Sequence, residues 1–388
     1  MAHASTIFGQ VLKLVPRHEF ERLAKGHHRG GQLRTMSRWK QFVALAAGQL
    51  SGRHSLRDIV ATLQAQGTRL YHLGAGPVAR SSLARLNAEQ PHTLFEALFD
   101  KLAARCRQHA PGHRFRFTNK LYSFDASLID LSVSLFPWAH FCKGKAAMKL
   151  HVGLDHGGYL PAFATVTGPH GSETGFLRRL DLPKGSICVL DKGFYSYALF
   201  TELDAAGRFF VTRAKQGVHM RVLQGRALQG QTPRAGGVEA DETVQITGKA
   251  AVRDGLPPLR RIVHRDPETG KRYVFLTNLR HLAAGTIAAL YQQRWQIELF
   301  FKWIKQNLKI RAFLGASKNA VLTQIWVALC AYLLLAYLKF AARLGRSLQH
   351  IVRLLQVNLF MRRDLLALLH GSTLDPPPKW RQNQLVLI

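Results

Sequence analysis

Segment 283–310 constrains the chain more than any other, because it predicts one long helix with two distinct faces. One face is apolar, since large apolar side chains recur at spacings of three and four: Ala284, Ile287, Leu290, Ile297, Phe300, Phe301 and Ile304. A polar column lies beside that face, within about 60° of arc at roughly 100° per residue: Tyr291, Arg294, Glu298 and Lys305. Such a helix must bury its first face and present the second to a site or to solvent.

Glu298 stands out in this column because acids are scarce around it. From residue 276 to residue 388 there are 15 Lys and Arg but only three acids, Glu298, Asp364 and Asp375. An isolated carboxylate among cations suits a metal ligand inside a phosphate-binding surface. The alternative is a solvated helix face with an ordinary Arg–Glu or Glu–Lys pair, and this helix alone does not decide between the two.

The charge of the whole chain indicates a polyanionic partner. Its 388 residues include 54 Lys and Arg against 23 Asp and Glu, a formal net charge of +31, and the cations are spread along the sequence. Nucleic acid is the first candidate, with an anionic membrane as the competing one. The longest apolar run, residues 325–338, is shorter than the roughly 18 residues needed to cross a bilayer. We therefore expect a buried core helix there and no membrane partner.

The cysteines and the N-terminus favour the cytoplasm. The four cysteines, Cys106, Cys142, Cys188 and Cys330, are isolated in sequence and lack paired zinc spacing. They are typical of reduced core residues. Residues 1–20 lack the charged start and long apolar run of a secretory signal.

Residues 1–115 predict a basic helical region. Helices are expected over 37–50, after Ser55 as N-cap, over 78–87 and over 91–109, with a glycine-marked break at 72–77. This order is compatible with a DNA-binding region, although many small helical domains share it. Arg80, Ser81, Ser82 and Arg85 are candidate DNA contacts, and a solvated basic helix is the alternative for each.

From residue 116 the pattern changes to strands. The expected strands and helices, in chain order, are strand 121–131, a hairpin over 149–155 and 157–166, helix 172–180, strand 186–191, helix 197–206 and strand 208–213. Hairpins followed by strands that alternate with helices predict an α/β fold with a mixed sheet flanked by helices. Residues 216–275 predict a β-rich insertion, with strand-like runs at 238–246, 249–252, 260–264 and 273–275. The sheet domain is then completed by residues 276–345, and a C-terminal helix and tail follow over 346–388. Further helices are expected at 319–344 and 349–369.

Two acids on the predicted strands are candidates to join Glu298. Asp125 lies inside an otherwise apolar strand, where an unpaired carboxylate costs several kcal/mol to bury. Asp191 closes a short apolar strand at the end where α/β sheets carry their sites. A turn or cap role is the alternative for Asp191. Asp130 and Asp155 are rivals for the first position, but strand alternation places Asp130 on the opposite face from Asp125.

These residues resemble those of a known family. The spacing of Tyr291, Arg294, Glu298 and Lys305 matches the Y-R-E-K signature of bacterial insertion-sequence transposases of the insertion sequence four type. The segment DKGFY at 191–195 resembles the second-aspartate motif of that family, and SFDAS at 123–127 resembles the first. The likeness covers about residues 115–345, and the N-terminal region resembles the helical leader of one branch.

The resemblance implies a ribonuclease H-like catalytic domain in which Asp125, Asp191 and Glu298 hold two Mg²⁺ or Mn²⁺ ions. It implies binding of terminal inverted repeats in double-stranded DNA, cleavage of donor DNA and joining of 3′ ends to target DNA, with a homodimer in the DNA complex. It also implies that Tyr291, Arg294 and Lys305 contact phosphates. Trp295 or Trp303 is a candidate for stacking on a displaced base. The location implied is the bacterial cytoplasm, at the nucleoid.

Two other functions remain open from the sequence. One is a ribonuclease H-like nuclease that only hydrolyses DNA, and the other is a non-catalytic DNA-binding derivative of a transposase. The presence of all three acids and of the complete Y-R-E-K set argues against the derivative. A basic protein of the membrane surface is disfavoured by the predicted α/β pattern.

Overall fold

The computed structural model describes residues 5–142, 145–226, 237–308, 310 and 313–371. The helices within them are α1 (Ile7–Leu12), α2 (Arg17–Gly26), α3 (Arg38–Leu50), α4 (Leu56–Gln64), α5 (Gly67–Leu70), α6 (Arg80–Glu89), α7 (Thr93–His109), α8 (Glu173–Arg178), α9 (Tyr197–Ala205), α10 (Lys249–Arg253), α11 (Ala284–Gln293), α12 (Trp295–Asn307), α13 (Lys318–Ala341), α14 (Leu348–Asn358) and α15 (Leu365–His370). The strands are β1 (Leu121–Leu131), β2 (His140–Cys142), β3 (Lys145–Asp155), β4 (Leu160–Thr167), β5 (Ile187–Leu190), β6 (Phe209–Arg213), β7 (Met220–Gly225), β8 (Val238–Ile246), β9 (Leu259–Arg265) and β10 (Arg272–Thr277).

The described strands form one mixed sheet. Its order is β2-β3-β1-β5-β6-β10-β9-β8-β7, and β4 also pairs with β3. Strands β4, β3 and β1 are antiparallel neighbours, whereas β1, β5 and β6 run parallel. Three antiparallel strands followed by two parallel ones, with helices on both faces, form a ribonuclease H-like arrangement. The predicted fold class is therefore confirmed.

Alternation along the strands divides the sheet into two apolar faces. Leu121, Ile187, Val189, Val211 and Phe275 pack with α11 on one face. Residues at the alternate positions of the same strands lie on the other face with α8, α9 and α10: Tyr122, Phe124, Cys188, Leu190, Phe210 and Leu276. This parity decides which strand residues can meet α11 and α12.

Most of the predicted elements are present, and β1 has the predicted bounds. Two predictions were wrong in detail, and one strand was missed. The run at 249–252 is the helix α10 rather than a strand, because the extended backbone of Gly248 leads directly into a helical turn. The single helix expected at 349–369 is two helices, α14 and α15, and Asp364 N-caps the second by accepting from the Ala367 N–H at 2.7 Å. Strand β7 was not predicted.

The single helix expected at 283–310 is also interrupted, at Arg294. The Arg294 N–H donates to the Tyr291 carbonyl, and the Ile297 N–H donates to the Arg294 carbonyl, both at 3.0 Å. These bonds span three residues instead of four, so one turn is tightened between α11 and α12. Arg294 keeps right-handed helical dihedrals, with φ −54° and ψ −32°. The polar column of Tyr291, Arg294 and Glu298 therefore survives the interruption.

Helix α13 is the centre of the helical core. It is the one helix of the described residues that is long and apolar enough to cross a membrane by length and composition, yet 94% of its apolar window is buried inside the fold. It packs against α3, α6 and α7 from the N-terminal region and against α14. The buried core helix expected at 325–338 is thus confirmed. Because α13 gives the two regions a shared core, the division at residue 115 stays a prediction.

The insertion extends the sheet beyond β6. Strand β10 pairs with β6, and β9, β8 and β7 follow in antiparallel order. A buried ion pair fixes this extension, since Arg260 donates to both Asp241 carboxylate oxygens at 2.8 and 2.7 Å. Arg260 also donates to the carbonyls of Leu279 and Leu282 at 3.2 and 2.6 Å. The insertion is thereby tied to the segment that leads into α11.

We expect Asp241→Ala to lower the free energy of unfolding by about 3–5 kcal/mol, because it leaves the Arg260 guanidinium buried without its counter-ion. Urea unfolding followed by circular dichroism measures the loss. The matched control is Glu239→Ala, which breaks exposed pairs with Arg265 and Arg272 at 2.7 Å and is expected to change stability little. Equal losses in the two variants would contradict an anchoring role for Arg260.

Candidate active site

The three predicted acids come from three different elements and meet at one edge of the sheet. Strand β5 pairs with β1 only as far as Phe124, which lies opposite Leu190. Beyond that point β1 continues with β3 as its partner but without β5. Asp125 is the next residue of β1, and Asp191 directly follows β5. Their parity points both side chains to the α11–α12 face. We call this open corner between β1 and the end of β5 the notch.

Arg294 links two of the acids. Its Nη1 atom lies 3.4 Å from Asp125 Oδ2, and its Nη2 atom lies 2.5 Å from Glu298 Oε1. Only 11% of the Arg294 side chain is exposed, against 21% for Asp125 and 33% for Glu298. A part-buried guanidinium therefore neutralises carboxylates contributed by β1 and α12.

Asp191 is held by a second set of groups. The Tyr291 hydroxyl donates to Asp191 Oδ1 at 3.4 Å, and Arg213 Nη2 lies 3.9 Å from the same oxygen. The Arg213 guanidinium also sits over the rings of Tyr291 and Tyr273, at 5.5 and 5.9 Å from their centroids. Sequence reasoning missed Arg213. The feature that could have indicated Arg213 is its position at the end of β6. Because β6 is the parallel neighbour of β5, the residues that end the two strands lie at the same edge of the sheet.

Lys305 occupies a different position from the one its column suggests. Its ammonium donates to Ser127 Oγ at 2.7 Å and to the Leu128 carbonyl at 2.8 Å. Ser127 shares the face of Asp125, two residues along β1. Lys305 therefore fastens α12 to β1 beside the notch.

A cavity of about 480 Å³ opens beside these residues. Eight of the residues that line it lie outside the insertion, and six of these carry polar or aromatic side chains named above or among the sequence candidates: Asp191, Arg213, Tyr291, Arg294, Trp295 and Glu298. The insertion contributes His264, Asp266 and Tyr273. The Trp295 side chain is 56% exposed, whereas Trp303 is half-buried with its ring 5.1 Å from that of Tyr332. Trp295 is therefore the tryptophan available for stacking, and Trp303 is a packing residue.

Burial raises the pKa of Asp125 to about 6. The Ala126 N–H and the charge of Arg294 act in the opposite direction, whereas the charges of Asp191 and Glu173 raise that pKa further. Burial also raises the pKa of Tyr291, so its hydroxyl is a hydrogen-bond donor at neutral pH. The Asp125 carboxylate thus lies where a nearby cation stabilises its charged form.

The donor set suits a hard divalent cation, although it is not spaced for one here. Within the described residues, no three His, Cys, Asp or Glu side chains are grouped closely enough to hold a metal ion. The guanidinium of Arg294 instead stands between Asp125 and Glu298. Carboxylate oxygens are the ligands that Mg²⁺ and Mn²⁺ prefer. The three carboxylates are therefore suitable ligands for such an ion. In this structure the Arg294 guanidinium supplies the positive charge between Asp125 and Glu298.

The remaining candidates lie elsewhere. Asp155 is 2% exposed, lies opposite Tyr122 near the start of β1 and pairs with Lys120 at 3.5 Å. Asp130 is exposed on the other face of β1 from Asp125. Neither rival approaches Asp191 or Glu298 as Asp125 does. Arg80 and Arg85 are exposed on α6 in the N-terminal region, where Arg85 lines a separate cavity of about 210 Å³ with Arg34.

Comparison with known proteins gives a consistent family. A family model described as a transposase DDE domain matches residues 119–334, and a domain of unknown function matches residues 3–76. A relative from Sinorhizobium fredii named as a transposase, y4zB, is 34% identical over 80% of this chain and 86% of its own length. The probable transposase for insertion sequence element IS5377 of Geobacillus stearothermophilus is 27% identical over 66% of this chain and 67% of its own. A piggyBac transposase synaptic complex with hairpin DNA overlaps at a TM-score of 0.45 and 11% identity, over 91% of this chain and 78% of that one.

We expect Arg294→Met to lower the free energy of unfolding by about 1–3 kcal/mol, because Asp125 and Glu298 lose their shared cation in a part-buried site. Asp125→Asn added to that variant should restore part of the loss, since the neutral amide needs no counter-ion. Urea unfolding in EDTA of the two single variants and the double variant gives the coupling. Additive effects of the two substitutions would show that Arg294 and Asp125 do not interact.

Proposed function

The chain belongs to the family of transposases that share the DDE domain, and we propose that it carries out cut-and-paste transposition with Asp125, Asp191 and Glu298 as its catalytic acids. It is a DNA transposase. In the proposed reaction it binds terminal inverted repeats, cleaves donor DNA and joins the freed 3′ ends to target DNA. The observation that supports this assignment is that Asp125 of β1 and Glu298 of α12 share the Arg294 guanidinium, while Asp191 at the end of β5 accepts from the Tyr291 hydroxyl one helical turn before Arg294.

The three acids would hold the divalent cations on which the DDE family depends, and we propose two ions of Mg²⁺ or Mn²⁺ per site. When bound, such ions activate the attacking oxygen and stabilise the leaving oxygen of an in-line displacement at phosphorus. Water is the first attacking group, and the released 3′-hydroxyl is the second. Asp125 lies on β1 and Asp191 directly after β5, so they would form one side of the site, and Glu298 would complete it from α12.

We propose that the cations around the acids bind the scissile phosphate. Arg294 would exchange a carboxylate for the phosphate group, because a guanidinium can donate two N–H groups to either anion. Arg213 and the Tyr291 hydroxyl border the same cavity and would hold the phosphate from the β6 side. Trp295 would stack on a displaced base. A phosphate contact by Lys305 requires its ammonium to leave Ser127, so its first role in this proposal is to hold α12 on β1.

The partner follows from charge and family. We propose that double-stranded DNA binds across the catalytic face and the N-terminal region, with Arg80 and Arg85 among the phosphate contacts. Two element ends must be brought together, which favours a homodimer in the DNA complex. The bacterial cytoplasm, at the nucleoid, is the compartment that supplies such DNA. A nuclease that only hydrolyses DNA would use the same acids, and a strand-transfer assay separates it from a transposase.

We expect Asp125→Ala, Asp191→Ala and Glu298→Ala each to abolish cleavage and strand transfer while leaving DNA binding largely unchanged. The reason is that chemistry needs the carboxylates, whereas affinity comes from many phosphate contacts. A terminal-repeat duplex is incubated with Mg²⁺ and a target plasmid, and nicked and joined products are resolved by electrophoresis.

Asp130→Ala is the control for this series, because Asp130 is an acid on the same strand but on its other face. It should retain wild-type activity. Full activity in any of the three acid variants would remove that residue from the catalytic set. Cleavage by the wild-type protein without joined product would favour the nuclease.

We expect Arg213→Gln to slow cleavage and to lower the slope of log affinity against log salt by about 1, as the loss of one phosphate contact does. Arg221→Gln is the matched control, since Arg221 is an exposed cation of β7 outside the cavity. Cleavage rates and binding of the same duplex are measured across a salt series. Equal effects of the two substitutions on the cleavage rate would rule out a specific role for Arg213.

A further inference from the structure

A fourth carboxylate approaches the notch from the opposite face of the sheet. Glu173 is the first residue of α8, and the side chain of Ser172 caps that helix by accepting from the Gly175 N–H at 3.0 Å. Its Oε2 atom reaches the turn that carries Asp191. A Cβ atom built on Gly193 would lie only 2.0 Å from that oxygen. Glycine at 193 is therefore what allows Glu173 to come so close to the turn, two residues after Asp191.

Lys149 neutralises this carboxylate. Its ammonium lies 2.7 Å from Glu173 Oε1, and both side chains are about four-fifths buried, with 19% and 20% exposed. Lys149 lies three residues before Val152, the partner of Asp125 in the β1–β3 register, so it points to the α8 face of the sheet. The Glu173–Lys149 pair thus lies on the α8 face of the sheet at the notch, whereas Arg294 lies on the α11–α12 face.

The charge of Glu173 also reaches the acids already described. It is one of the two negative charges that raise the pKa of Asp125, together with that of Asp191. The close approach of its Oε2 atom to Gly193 places Glu173 at the turn that follows Asp191. A salt bridge that only joined α8 to β3 would not require this approach.

We propose that Glu173 is a fourth carboxylate of the divalent-cation site, acting from the α8 side, and that Lys149 balances its charge until a cation binds. This inference rests on the proposed function, because it extends the cation site of Asp125, Asp191 and Glu298 by one residue. Glu173 would act as a direct ligand or through a bound water. In either case its loss should weaken cation binding before any DNA chemistry takes place.

Mn²⁺ binding to the full-length protein tests the assignment without measuring activity. Enhancement of water proton relaxation is recorded as Mn²⁺ is added to the wild type and to four variants: Glu173→Gln, Lys149→Met, Glu19→Gln and Asp191→Asn. Glu19 is the matched control, since it pairs with Arg105 at 2.7 Å with 27% of its side chain exposed, in the N-terminal region. Circular dichroism and thermal unfolding in EDTA confirm that each variant is folded.

We expect Glu173→Gln to weaken Mn²⁺ binding about tenfold, the usual effect of losing a carboxylate in or next to a metal site. Lys149→Met should bind Mn²⁺ at least as tightly as the wild type, because it removes a competing cation. Glu19→Gln should match the wild type. Opposite effects at Glu173 and Lys149 are the signature of a cation ligand, since loss of a structural ion pair acts in the same direction from either side.

Two results would overturn the inference. One is unchanged Mn²⁺ affinity in Glu173→Gln while Asp191→Asn loses it, which leaves the proposed function in place and removes only Glu173. The other is an equal loss in Glu173→Gln and Lys149→Met, which makes the pair structural. Unchanged affinity in Asp191→Asn as well would instead reject the proposed cation site itself.

Discussion

The contact of the Arg294 guanidinium with Asp125 and Glu298 is the interaction on which the site depends. Two carboxylates from separate elements repel each other, and burial already disfavours the charged form of Asp125. A cation between them allows β1 and α12 to pack with both acids facing inward. The tightened turn between α11 and α12 places Arg294 at this point, one helical turn before Glu298. The break in the long helix and the acid site are therefore parts of one arrangement.

The sheet determines where the acids can lie. Because β5 stops pairing at Leu190 while β1 continues to Leu131, Asp125 and Asp191 border the notch on the α11–α12 face. The next parallel strand ends in Arg213, which supplies a cation at the same level. The insertion then continues the sheet and brings the Tyr273 ring against the Arg213 guanidinium. Its residues therefore line one side of the cavity. Its buried Arg260–Asp241 pair keeps those residues attached to the segment before α11.

Periodicity in the sequence was sufficient to predict most strands of the sheet, because a run or alternation of apolar residues marks a strand. It also made Asp125 conspicuous as an acid inside a strand, and the catalytic role of the three acids stays a prediction. Periodicity was insufficient where two elements separated in sequence decide a position. Arg213 ends an ordinary strand, and only the neighbouring β5 makes it part of the site. Lys305 shares a helical column with Glu298, yet Ser127 on β1 takes its ammonium. Strand β7 has mostly exposed residues, so it lacks the apolar alternation by which β1 is recognised.

The position of Arg294 has a consequence for how DNA and cations would bind. The Arg294 guanidinium lies between two proposed cation ligands, Asp125 and Glu298. Lys149 is paired in the same way with one carboxylate, that of Glu173. A phosphate that draws Arg294 away frees both carboxylates, and a cation that binds those carboxylates frees Arg294 for the phosphate. Each ligand therefore raises the affinity for the other, and the coupling must be equal in both directions. On this argument the proposed site would bind cations more tightly when a DNA phosphate is already in place.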